Sequence, residues 1–338
     1  MAETEKKSVT YLSIGAEEAG QRLDNYLIRH CKGVPKSHLY RILRSGEVRV
    51  NKKRAEASCR LQEGDAVRLP PLRTATASPT SAAPLPPIDL PVLYEDAALL
   101  VIDKPAGIAA HGGSGLSFGL IELLRRQRPE ARFLELAHRL DKETSGLILV
   151  GKKRSALTAL HDMFRASRGA SEKAADKRYL MLVRGRWMNP AQQVRLPLCK
   201  YLTESGERRV RVDAAEGKPS HTVFRLLARW RRFSLLEGQL KTGRTHQLRV
   251  QLAHLGYPIL GDEKYGDFPL NKALQKEGLK RMALHAFSMD FPHPLEDRRL
   301  LLTAPLPEAL AAFMRRLDGE EHCDYLAEHL SPLWRIPA

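Results

Sequence analysis

Leu147-Ile148-Leu149-Val150 is an unbroken aliphatic run of strand length, and Thr144-Ser145-Gly146 before it supplies the turn that swings the chain into it. Leu99 to Ile102, Tyr179 to Val183, Thr222 to Leu227 and Ser234 to Leu240 also read as strands. Helical spacing shows in Leu157, Leu160 and Phe164, with Ala156 at the edge. It shows again in Leu248, Leu252 and Leu255, within a segment from Arg244 to Leu255. Strands in runs with a few helices predict an α+β fold with a mixed, mostly antiparallel sheet and flanking helices, not regular βαβ winding.

A second pattern precedes this one. Leu23, Tyr26 and Leu27 recur at helical spacing until Pro35 breaks the chain. Leu39, Ile42 and Leu43 mark the apolar face of a second helix, whose other side carries Lys36, Arg41 and Arg44, and Gly46 follows as a C-terminal cap. Val48 and Val50 alternate with Arg49 as in a half-exposed strand, and Asn51-Lys52-Lys53-Arg54 turns the corner. Between the two patterns, TATASPTSAAPLPPIDLP is too rich in proline and small polar residues for a helix or a central strand, and reads as a linker. The expected organisation is a tail over 1–16, a small domain over 17–73, the linker over 74–91, a large domain over 92–318 and a tail over 319–338.

At 338 residues and 43% hydrophobic content the chain can bury a core in each of two domains. Its 55 Lys and Arg against 39 Asp and Glu leave a net charge of +16, which points to a polyanion, most commonly nucleic acid. No apolar run is long enough to span a bilayer, no basic amphipathic helix suggests a membrane surface, and MAETEKKSVT lacks the apolar stretch of a secretion signal. A monomer in the cytoplasm, away from membranes, is expected. Cys31, Cys59, Cys199 and Cys323 include no close pair, and the histidines form no metal-binding helix motif, so neither a disulfide framework nor a metal is expected.

Two tempting motifs fail. HGGSGLSFG, at 111–119, has the wrong glycine spacing for a dinucleotide loop and no Lys-Ser/Thr pair for a triphosphate, and Ser114 is not in a nucleophile elbow. The loop is expected to shape a cleft wall. Asp141 is different, because it lies directly behind Arg139-Leu140 in a tight turn feeding a buried strand. A carboxylate on such a rigid lip can serve as nucleophile or base, although an isolated aspartate there could equally cap a turn and pair with Arg139. Around the second helix, Lys36, Arg41, Arg44, Arg49, Lys52, Lys53 and Arg54 meet few acidic residues and suit a phosphate backbone. Arg208, Arg209 and Arg211 make a second candidate strip.

KGVPKSHLYRILRSGEVRVNKKR resembles the core of the S-four RNA-binding domain, which implies docking on structured RNA mainly through phosphates. HRLDKETSG at 138–146, Lys177-Arg178-Tyr179-Leu180 with its strand, and Lys241 to Arg249 (KTGRTHQLR) together resemble the pseudouridine synthases, in the order and spacing of the large-subunit ribosomal branch. That resemblance spans about residues 17 to 316. It implies isomerisation of uridine to pseudouridine in large-subunit ribosomal RNA or its precursor particle, without a cofactor, on a nucleotide flipped out of its stack. It further implies roles for single residues. Asp141 attacks the target nucleotide or initiates cleavage of its glycosidic bond, and Arg139 fills the gap left by the base. Tyr179 packs on uracil, Arg249 pairs with and aims the carboxylate, and Leu284 adds to the apolar floor. His138 and His246 are taken as structural hydrogen-bond partners. The stretch from 165 to 178 is longer and more charged than the family pattern, which puts in doubt how RNA is gripped near Tyr179. A non-catalytic RNA-binding factor on the same fold, or a transfer RNA substrate, are the alternatives.

Overall fold

The computed structural model describes residues 9–31, 33–72, 88–112, 118–166, 174–320 and 324–325. They fall into two compact units, Met1–Ile88 and Asp89–Ala338. Most of the proline-rich segment, the middle of the glycine loop with Ser114, much of the 165–178 stretch, most of both tails, Lys32 and Cys323 lie outside the described residues.

The first unit runs β1 (Thr10–Ser13), α1 (Leu23–His30), α2 (Lys36–Arg44), β2 (Arg49–Val50), β3 (Lys53–Arg54) and β4 (Ala66–Leu69). Its sheet has the order β1-β4-β2-β3. Leu23, Tyr26 and Leu27 from α1 and Leu39, Ile42 and Leu43 from α2 share one core with Val48, Val50 and Val67. Pro35 stands just before α2, where its missing N–H costs nothing, and Gly46 takes φ +75° after it, as the sequence predicts. Asn51 and Lys52 both have positive φ between the paired Val50 and Lys53, the geometry a two-residue hairpin turn needs. Asn51 holds that turn through its side chain, donating to Asp65 Oδ1 at 2.7 Å and accepting from Ala66 N–H at 2.8 Å.

The second unit begins with β5 (Val92–Glu95), β6 (Leu99–Lys104), α3 (Leu120–Gln127), β7 (Glu135–Leu136), β8 (Ser145–Gly151) and α4 (Arg154–Ala166). It continues with β9 (Asp176–Arg184), β10 (Ala191–Leu202), β11 (Arg208–Val212), β12 (Lys218–Arg229) and β13 (Phe233–Leu240). Then come α5 (Gln247–His254), α6 (Phe268–Lys276), β14 (Leu284–Pro292), β15 (Arg299–Thr303), α7 (Glu308–Glu320) and β16 (Asp324–Tyr325). A 12-stranded sheet follows the order β11-β10-β12-β13-β9-β14-β8-β6-β5, with β15, β16 and β7 added at its sides. The β8–β14 pair is parallel and its neighbours are antiparallel, so the expected α+β class with a mixed, mostly antiparallel sheet holds.

Every residue of β8 is buried, which explains its all-apolar middle; each such aliphatic contributes about 1.5–3 kcal/mol. Gly146 is required where β8 meets β14. Its φ is +109°, and a Cβ there would stand 2.2 Å from the Ala286 carbonyl oxygen. Ser145 Oγ pairs with His285 Nδ1 at 2.8 Å and accepts from Arg281 at 2.6 Å, which ties the same junction together.

One element differs from its expected form. The helix expected from Arg244 to Leu255 is α5, Gln247–His254, and Gln247 through Leu252 are all buried, polar residues included. Gln247 donates to Thr222 Oγ1 at 2.8 Å, and Thr222 passes its own proton to Gln251 at 2.7 Å. Two glutamines one turn apart thus fasten the helix to β12, and a leucine stripe describes only half of what it buries.

Candidate active site

The loop from Arg139 to Thr144 enters β8 and carries Asp141. Lys104, fully buried at the end of β6, holds this loop down. Its Nζ donates to the carbonyls of Pro105 and Ile108, each at 2.8 Å, and of Lys142 at 3.1 Å. Gly107 N–H also donates to the Lys142 carbonyl, at 2.9 Å. Thr144 N–H closes the turn on the Asp141 carbonyl at 3.1 Å. His138 accepts from Leu149 N–H at 3.1 Å, and burial pushes its imidazole down to about 3, so it stays neutral.

Asp141 stands half-buried at 29% exposure in a cleft of about 1390 Å³. Arg249 comes from α5, whose first turn is pinned as described, and its Nη1 donates to Asp141 Oδ2 at 2.9 Å. The guanidinium does not rest there alone. Its Nε and Nη2 donate to the two oxygens of Asp262 at 2.7 and 2.8 Å. With Arg249 at 6% exposure and Asp262 at 1%, this is a buried, two-toothed pair. Asp262 also accepts from the backbone N–H of Lys264 at 2.8 Å and Tyr265 at 3.1 Å. Burial alone raises its carboxyl, but the Arg249 bonds and these amides outweigh it and leave the value lowered. For Arg249, burial works against the charge and the two carboxylates more than compensate, so its value is raised.

Tyr179 projects from β9, registered between Gly238 of β13 and Ala286 of β14, and lines the same cleft. Burial first, then the Asp141 charge, push its phenol well above the ordinary value. Leu284 opens β14 opposite Met181 and is buried in the cleft wall. Arg139 is exposed on the cleft lining. The structure thus brings together Asp141, Arg139, Tyr179, Arg249 and Leu284 from separate parts of the chain. His111 lines the cleft beside them, while Gly112 and Gly119 donate their N–H groups to Glu122 at 3.1 and 2.9 Å. Those two amides are engaged by a carboxylate, in keeping with a wall and not a phosphate cradle.

Asp262 and Lys104 carry no mark in the sequence. Only Gly261-Asp262 with Tyr265 nearby hints at a turn, and nothing local singles out Asp262 as the partner of an arginine on another element. Of the second basic strip, Arg208 and Arg209 both line the cleft; Arg209 also pairs with Glu207 at 2.8 Å, and Arg211 with Asp213 at 2.9 Å. In the first unit Lys36, Arg41, Arg44, Arg49, Lys52, Lys53 and Arg54 are all exposed, and Arg54 donates to the Arg44 carbonyl, bringing the hairpin against the end of α2.

Residues 98–254 match the family described as RNA pseudouridylate synthase, and residues 21–67 match the S4 domain. Over 320 residues the chain is 48% identical to ribosomal large subunit pseudouridine synthase C of Escherichia coli (strain K12), covering 93% of this chain and 98% of that protein. The chain belongs to the RNA pseudouridylate synthase family. A relative of the same description from Pasteurella multocida (strain Pm70) is 49% identical over 304 residues, covering 89% of this chain and 91% of its own. Among solved structures, Human RNA Pseudouridylate Synthase Domain Containing 1 superposes with a TM-score of 0.54 at 25% identity, covering 70% of this chain and 90% of that one. Human RNA Pseudouridylate Synthase Domain Containing 4 gives a TM-score of 0.54 at 26% identity, covering 67% and 92%. The resemblance carried by HRLD, the Tyr179 strand and the Arg-Thr-His-Gln-Leu-Arg stretch therefore holds, as does the S-four assignment of the small unit.

Proposed function

We propose that this protein isomerises specific uridines to pseudouridine in large-subunit ribosomal RNA, as a cytoplasmic monomer using no metal or cofactor. The observation that carries the reading is the 2.9 Å bond from Arg249 to Asp141, which aims a carboxylate into a cleft walled by Tyr179 and Leu284. The target nucleotide leaves its stack to reach that cleft, and Arg139 on the rim takes the place it vacates. Asp141 then attacks the nucleotide or initiates cleavage of its glycosidic bond. The bond from ribose C1′ to N1 breaks, uracil turns over against Tyr179 and C1′ rejoins it through C5, releasing any bond to Asp141; the proton lost from C5 is matched by one gained at N1, so the product is an isomer of the substrate. The residues over 17–73 dock the RNA through the exposed basic strip, the residues over 92–318 carry the reaction, and 74–91 links them. Among the described residues no helix is long and apolar enough to cross a membrane.

The names of the relatives support ribosomal RNA as the substrate. The test is a strain whose only copy carries Asp141→Ala, with pseudouridines in its RNA mapped by carbodiimide adducts and primer extension. Loss of specific large-subunit sites is expected. Unchanged ribosomal sites overturn the assignment, and losses confined to transfer RNA would move the substrate there.

A further inference from the structure

His246 occupies an unusual backbone position. Its φ of 53° and ψ of 23° put it in the left-handed region immediately before α5, where non-glycine residues are uncommon. That conformation turns the imidazole edgewise between two partners. Nδ1 lies 2.7 Å from Tyr265 Oη, and Nε2 lies 3.8 Å from Asp141 Oδ1. Asp141 is thus approached on both oxygens, Oδ2 by Arg249 and Oδ1 by His246.

The partners decide which ring nitrogen carries the proton. Val210 N–H donates to Tyr265 Oη at 3.0 Å, so the phenol already accepts one bond and has its own O–H to place. Donated to His246 Nδ1, that proton satisfies both groups and leaves the imidazole hydrogen on Nε2, facing the carboxylate. The other tautomer strands the Tyr265 hydroxyl proton and sets an Nε2 lone pair against a carboxylate oxygen. Tyr265 is itself braced, with its ring 5.1 Å from the Arg249 guanidinium.

The groups facing His246 are Asp141, Arg249, Lys264, Asp262 and Tyr265. Burial lowers the imidazole value, the Asp141 charge raises it, and Arg249 and Lys264 lower it again; the outcome is below the ordinary histidine value. A neutral ring has one proton only, so its tautomer matters. Burial pushes the Tyr265 phenol up to about 12, which keeps it a donor.

We infer that His246 is a positioning residue for Asp141, presenting Nε2–H to Oδ1 with its tautomer set by the Val210–Tyr265 relay. The present 3.8 Å is longer than a hydrogen bond and shortens when substrate fills the cleft, as catalytic contacts often do. Arg249 then fixes one carboxylate oxygen and His246 steers the other. This inference rests on the assignment of Asp141 as the reacting carboxylate, but its first test does not.

That test is ¹⁵N NMR of the full-length protein labelled in its histidine rings, at pH 7.5, with His246 assigned by the resonances that vanish in His246→Gln. A protonated Nε2 and an unprotonated Nδ1 are expected, and Tyr265→Phe should mix the tautomers. An Nδ1–H tautomer or an imidazolium in the wild type overturns the proposal. The second test is turnover, read as tritium released from 5-tritiated uridine in ribosomal RNA. His246→Ala should lower kcat by about 10²-fold with little change in KM, the usual scale for a misplaced reacting group. His246→Gln, whose amide carries an N–H toward the same oxygen, should recover most of that activity. A kcat unchanged in His246→Ala, or equally low in both variants, sinks the steering role. Wild-type protein that releases no tritium from any RNA would sink the reaction assigned above, while the resonances still decide the tautomer.

Discussion

The guanidinium of Arg249 is gripped more firmly by Asp262 than by Asp141. Asp262 takes two of its N–H groups, at 2.7 and 2.8 Å, from a site with 1% exposure, while Asp141 receives a single bond. Asp262 is therefore the anchor, and it leaves Arg249 one aimed donor for the cleft.

Stability and turnover should separate at this pair. Arg249→Met leaves Asp262 buried and unpaired, and breaking such a pair costs about 3–5 kcal/mol. Combining it with Asp262→Asn removes the buried charge while keeping an oxygen for the Lys264 and Tyr265 amides. Urea unfolding should then recover most of that stability, and turnover should stay as low as in the single variant. A double variant that regains activity would show that Arg249 does not aim Asp141.

Asp141→Asn keeps an oxygen for Arg249 and loses the carboxylate proposed to react. Turnover should fall by about 10⁴-fold or more, the scale seen when a reacting group is removed. Thermal melting should change little, because Asp141 is half-buried on a loop that Lys104 holds independently. RNA affinity measured by filter binding should be kept.

At Tyr179 the ring and the hydroxyl should part company. Tyr179→Phe retains a face for the base, so RNA affinity should be preserved. Tyr179→Ala should weaken binding of a substrate with its target uridine by about 1–3 kcal/mol relative to the same RNA abasic at that site. Equal weakening on both RNAs would mean that the ring supports β9 and does not touch the base.

The basic strip should register as a salt effect. Replacing Lys52, Lys53 and Arg54 by glutamine should flatten the dependence of log affinity on log salt by about 0.7–0.9 for each phosphate left without its cation. All three side chains are exposed on or beside the hairpin turn, so the fold should survive. An unchanged slope would move the RNA path elsewhere.

Acid should unlock the Arg249–Asp262 pair in a defined direction. Asp262 has a folded value below its unfolded one, so its contribution is complete above the ordinary aspartate value near 3.9 and disappears as pH falls through the folded value. Unfolding free energies measured from pH 5 to pH 2 should fall less steeply in Asp262→Asn than in the wild type. Asp96, lowered to about 2 against the pull of burial by Tyr94, backbone amides and His293, leaves a residual slope in both. Parallel curves would rule out Asp262 as the titrating group.

Much of this molecule is written locally. The Leu147–Val150 run, the cap at Gly46, the alternation around Arg49 and the turn at Asn51-Lys52 each depend on neighbours a few positions away, so period and turn chemistry reveal them. The resemblance to the pseudouridine synthases likewise marks Asp141, Tyr179 and Arg249 as a set. The bond between Asp141 and Arg249 spans 108 positions, and its geometry depends on where the sheet sets α5 against the loop before β8. The glutamine-lined face of α5, the carboxylate of Asp262 behind Arg249, and the ring of His246 turned by a left-handed residue leave no periodic trace. Each is a polar group buried because a distant partner satisfies it, and such a partnership exists only once the strands have paired and the water has gone.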